Sequence, residues 1–123
     1  MAGEIDLELY TICVIRLNNV FQKIEDNEEI SEINSDLTDC INDFSELYGE
    51  IVHDLKEGTV DYNEYDPFFE NGINTFPTYV KNIEKYSEKV DDEELKTNFE
   101  LLLLIFRKLI KVGHEYFKAR GVQ

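Results

Sequence analysis

Glycine and proline are scarce in this chain: six and two among 123 residues. An all-β sandwich needs turn residues roughly every 10 positions, so that class is excluded and long, rarely interrupted helices are favoured. Long apolar runs are missing too. The longest, Leu101 to Phe106, has six residues, against the roughly 20 that a membrane-spanning helix requires. Cysteine is limited to Cys13 and Cys40. Each lies inside an apolar-periodic stretch, where buried, reduced thiols are expected more than a disulfide. The opening MAGEIDLELY carries Glu4, Asp6 and Glu8 where a secretory leader would be basic, which points to a cytoplasmic protein.

Positive charge is scarce beside negative charge. Twelve Lys and Arg face 27 Asp and Glu, for a net charge of −15. Phosphate-backbone binding needs Lys and Arg to displace counterions, so direct contact with nucleic acid is not expected. The same charge attracts basic proteins. What is present is a folding composition, 42% apolar and 12% aromatic, and the length suits a single domain over residues 1–123.

Four helices are legible. In the first, from about Ile5 to Ile24, Ile5, Leu9, Ile12, Ile15 and Phe21 trace a face that Leu7, Val14 and Leu17 widen, as expected of a helix touching two neighbours. Asn27 is placed to cap the second. There Ile30, Leu37, Phe44 and Ile51 recur every seven residues, interleaved with Ile33, Cys40 and Leu47, until Gly58 stops the pattern. At 1.5 Å per residue this helix is about 40 Å long. Residues 58–66, GTVDYNEYD, read as a connection, and Asp66-Pro67 as a cap and first helical position. The third helix carries Phe69, Ile73, Phe76, Val80, Ile83 and Val90, and is expected to be kinked or split at Pro77. Asp91 to Glu94 open the fourth helix, whose inner stripe is Leu95, Phe99, Leu102, Phe106, Leu109, Gly113 and Tyr116. The fold class is therefore all-α, an antiparallel four-helix bundle.

The charge is unevenly placed. Residues 26–70 hold 15 acids and one base, Lys56, whereas residues 96–123 hold six bases and two acids. On the second helix the acids form two heptad rows flanking the apolar seam: Asp36, Asp43, Glu50 and Glu57, and Asp39 and Glu46 with His53. Surface helices normally mix the signs, because like charges at such spacing repel. Two origins fit: a face neutralised by the basic last helix of the same bundle, or a docking surface for a basic protein. The candidate contact residues are Asp36, Asp39, Asp43, Glu46, Glu50, His53, Asp54, Glu57, Tyr62 and Tyr65, the tyrosines as aromatic anchors beside the acids.

Three other constellations bear on chemistry. Glu46, Glu50 and His53 give the Glu-x-x-His spacing of di-metal bundles, but no second such pair exists, so no metal or cofactor is expected. Glu29 and Glu32 resemble the first metal-binding pair of all-α nucleotide pyrophosphohydrolases; the second pair is present only as Glu50 and Asp54, one residue too far apart. Arg107 and His114 are similar to the Arg–His element of HEPN ribonucleases, which implies two side chains flanking a phosphate. There is no Gly-rich phosphate loop, serine elbow or metal-binding cysteine pair.

The expectation is a non-enzymatic acidic protein that binds and inhibits a basic partner, of the immunity, antitoxin or anti-defence type, in the extreme by mimicking nucleic acid. The alternatives are a helical enzyme, either magnesium-dependent on nucleotides or HEPN-like on RNA, and a subunit of a homo-oligomer whose long seam could extend across a dimer.

Overall fold

The computed structural model describes residues 5–121: four helices and, among those residues, no strand. The protein is an all-α four-helix bundle. Helix α1 spans Leu7–Glu25 and is capped by Asp6, whose carboxylate accepts from the Leu9 amide at 2.9 Å. It ends in a Schellman turn: Asn27 adopts φ 56°, its amide donates to Ile24, and the Glu28 amide donates to Lys23. Asn27 thus closes α1 instead of capping α2. Helix α2 spans Ile30–Glu57 without a side-chain cap and stops, as the sequence implies, at Gly58 with φ 70°.

Helix α3 spans Tyr62–Glu88 and begins five residues before Pro67, its expected first position. Its cap is Asp61, which accepts from the Asn63 amide at 3.0 Å, so the connection shrinks to residues 58–61. Pro67 and Pro77 both lie inside α3, which is one continuous helix and is not split. Each removes a donor from the carbonyl four residues earlier, on Asn63 and Ile73. All four residues are exposed, where water can take up the freed carbonyls. Helix α4 spans Glu93–Arg120, capped by Asp92 through the Leu95 amide and closed by Gly121 at φ 77°.

Backbones approach closely between α1 and α2, α2 and α4, and α3 and α4. The ring closes between α1 and α3 through large side chains: Tyr10 sits edge-on to Phe68 at 5.2 Å, and Phe21 stacks on Tyr86 at 4.5 Å. Consecutive helices are antiparallel, yet the cyclic order α1-α2-α4-α3 makes two neighbouring pairs parallel. Asn34 meets Asn98, and Phe44 meets Phe106, so α2 and α4 run together. The short connection between α2 and α3 therefore crosses the end of the bundle diagonally.

The core is continuous and rich in aromatics, with Phe44, Tyr65, Phe69, Phe76, Phe99 and Phe106 fully buried. Two glycines make room for core rings, Gly72 for one on its own helix and Gly113, on α4, for one on α3. A Cβ at position 72 would lie 2.5 Å from the Phe76 ring, and one at 113 would lie 3.0 Å from Phe69. Alanine at 72 would force that ring from its place. On α1 the core stripe is Cys13, Leu17, Val20 and Ile24. Ile12 and Ile15, expected on the inner face, point outward.

Candidate functional site

Helix α2 buries Ile33, Leu37, Cys40, Phe44, Leu47 and Ile51 at alternating steps of three and four. That seam fixes what flanks it. The row Asp36, Asp43, Glu50, Glu57 lies along the α1 side, and the row Asp39, Glu46, His53 lies further out in solvent.

The two ends of the first row meet different neighbours. Lys23 reaches Asp36 at 2.5 Å and Glu32 at 3.0 Å, and Arg16 reaches Asp43 at 2.6 Å. Hydrogen bonds to Asp36 and then Glu32 raise the Lys23 pKa above its ordinary value. Because α1 and α2 are antiparallel, each step of seven down α2 is a step of seven back along α1. The position opposite Glu50 is consequently Leu9, and Asp6 lies close by. Glu50 finds no cation there among the described residues. Partial desolvation, then Glu46, Asp6 and Asp54, raise its pKa. Asp39, Glu46, Glu50 and Glu57 are exposed and form no ion pair among the described residues.

The cations of α4 do not supply the missing charge. Arg120 pairs with Asp66 at 2.8 Å, Arg107 lies 3.9 Å from Glu84, and Lys108 sits over the Tyr48 ring at 5.9 Å. Neutralisation of the acidic helix by the basic last helix is therefore not what the bundle does. Helix α1 performs it, over half the length of α2.

Two of the expected contact residues are not on the surface. Asp54 is 7% exposed and Tyr65 is fully buried. The Tyr65 hydroxyl donates to one Asp54 oxygen at 2.8 Å, and Thr59 donates to the other at 3.1 Å. Burial, followed by this bond to a carboxylate, raises the Tyr65 pKa. The cluster ties the end of α2 to the start of α3 where the chain crosses the bundle. The signal was present: Ile33, Cys40 and Leu47 continue in steps of seven to Asp54, which therefore inherits a core position.

Tyr62 is half exposed and carries the Arg120 guanidinium 4.0 Å above its ring. It borders an open depression of about 320 Å³ with Leu55, Val60, Tyr116 and Ala119, on the α4 flank of α2. It is thus separated from the two acidic rows. His53 is exposed in the outer row.

The metal-binding constellations do not assemble. Among the described residues no group of three or more His, Cys, Asp or Glu could hold a metal ion. Glu32 and Glu50 are about 27 Å apart along α2 at 1.5 Å per residue, and Asp54 faces the core. Arg107 and His114 are both exposed on α4. Cys13 and Cys40 are free, buried thiols facing each other across α1 and α2, each pushed up to about 12 by burial. No helix is long and apolar enough to cross a membrane among the described residues. Compared with known protein families, with curated proteins and with solved structures, the chain matches none.

Proposed function

We propose that the chain is a non-catalytic acidic binding protein that docks a basic protein through the outer row and the C-terminal half of α2, and thereby inhibits it. The observation that carries this reading is the run of exposed carboxylates on Asp39, Glu46, Glu50 and Glu57 with no cation bonded to them among the described residues. Holding like charges together costs free energy that a cationic partner returns, and the resulting field speeds encounter with that partner. Asp36 and Asp43, already paired with α1, contribute less.

The biological class this fits is an immunity, antitoxin or anti-defence protein. Successive acids at 39, 43, 46 and 50 rise by about 4.5 to 6 Å each, against about 3.4 Å per charge on a DNA strand. Mimicry of nucleic acid would therefore rest on a linear run of negative charge and not on matched spacing. Two buried, free thiols suit a reducing, cytoplasmic setting.

Affinity capture from extracts of the native host at low and high salt tests the proposal, with Asp39→Asn/Glu46→Gln/Glu50→Gln/Glu57→Gln as control. The expected result is one basic protein retained at low salt, released as salt rises, and lost with the fourfold variant. A partner indifferent to those four substitutions, or none at low salt, overturns it.

A further inference from the structure

Ile12 and Ile15 are 40% and 54% exposed, the two large apolar side chains in the middle of α1 that face away from the core. They are three residues apart and so share one face of the helix. That face adjoins the acidic rows. Ile12 precedes Arg16 by one turn, and Arg16 reaches across to Asp43. The register set by Arg16–Asp43 and Lys23–Asp36 places Ile12 level with Leu47, between Asp43 and Glu50 along α2. An apolar pair is thus bordered along its length by carboxylates, two of which, Glu46 and Glu50, find no cation among the described residues.

We infer that the outer α1/α2 surface seats an amphipathic cationic helix, with apolar side chains on Ile12 and Ile15 and its Lys or Arg against Asp39, Glu46 and Glu50. This rests on the docking reading above and names the element of the partner that docks. Isolated exposed apolar residues need no explanation. A helix-in-groove contact, however, lays the apolar face of an incoming helix on apolar side chains with complementary charge beside them, and Ile12 and Ile15 with their flanking carboxylates offer both. Carboxylate crowding at Glu50 favours the same ligand, since an incoming ammonium relieves it. The other exposed apolar pair, Leu101 and Leu104 on α4, has the opposite border, Lys108 and Lys111. It repels a cationic helix and serves as an internal control. A second copy of this chain is the poorer occupant, because two molecules of charge −15 repel each other.

The test uses the full chain and two synthetic peptides of about 14 residues, two heptads of leucine and lysine. In one, the leucines segregate to one helical face; in the other, the same residues are scrambled. Fluorescence anisotropy is expected to show the segregated peptide binding at least tenfold tighter. Ile12→Ser/Ile15→Ser should abolish that advantage and leave the scrambled peptide unchanged. Glu46→Gln/Glu50→Gln should weaken both peptides. Equal binding of the two peptides by the wild type overturns the inference, as does an advantage that survives the serine substitutions; either result leaves the docking reading standing. Failure of the glutamine variant to weaken either peptide overturns the docking reading itself. Amide shift mapping on the wild type gives an answer that no variant's folding can obscure. Perturbations centred on residues 8–16 and 43–50 are expected, and perturbations centred on Leu101 and Leu104 or on Tyr62 contradict the assignment.

Discussion

The two halves of α2 have similar acid content and opposite electrostatic fates. In the first half, Glu32, Asp36 and Asp43 each find a cation on α1, and only Asp39, on the outer row, finds none among the described residues. In the second, Glu46, Glu50 and Glu57 find none among the described residues, and Asp54 turns inward to Tyr65. The difference lies in the neighbour, not in α2. Lys23 and Arg16 are spaced seven apart, in step with Asp36 and Asp43, and the next residue in that series is Leu9. One heptad position decides where a compensated surface becomes an uncompensated one.

The largest expected effect is at the buried end of the second half. Tyr65→Phe leaves Asp54 short of a donor, and Asp54→Leu leaves the Tyr65 hydroxyl buried without an acceptor. Each should lower stability by about 2 kcal/mol in urea unfolding, while the double substitution costs clearly less than the sum. Additive losses would show that the two groups do not interact. In the first half, Arg16→Gln should cost less than about 1 kcal/mol, because the pair with Asp43 is partly exposed.

Smaller effects sharpen the contrast by pH. The pKa of Glu50 is raised in the folded state, so its protonated form is the better tolerated one. Stability from this group is present below its unfolded value of about 4.3 and is lost as pH rises through the higher folded value. Glu50→Gln should remove that step from a profile of melting temperature against pH. The smallest change is expected for Leu9→Arg, which extends the series of α1 cations to Glu50. Lost apolar packing offsets the new ion pair in stability. By NMR titration, however, the Glu50 carboxyl should move down towards its ordinary value.

Much of this was legible from residue order. The period of seven and Gly58 define α2 to the residue, because an amphipathic seam and a left-handed stop leave little freedom. The start of α3 was not. Asp66-Pro67 has the form of a cap and first turn, but Asp61 caps earlier and Pro67 is tolerated on an exposed side of the helix. The rotation of α1 was hidden because its apolar residues are too numerous to show one face; Cys13, Leu17, Val20 and Ile24 won the core, leaving Ile12 and Ile15 outside. Residue type places Asp54 on the surface, whereas its heptad position places it in the core. Which acids would be compensated depends on the pairing of α1 with α2, and composition pointed instead to α4.

The central claim is that position along α2, not net charge, sets the acidic surface available to a partner. The most direct measurement is the affinity of the segregated leucine–lysine peptide for two variants of identical net charge, Asp36→Asn/Asp43→Asn and Glu46→Gln/Glu50→Gln. At least a tenfold loss is expected for the second and less than threefold for the first. Equal losses would contradict it and reduce the acidic helix to a diffuse charge.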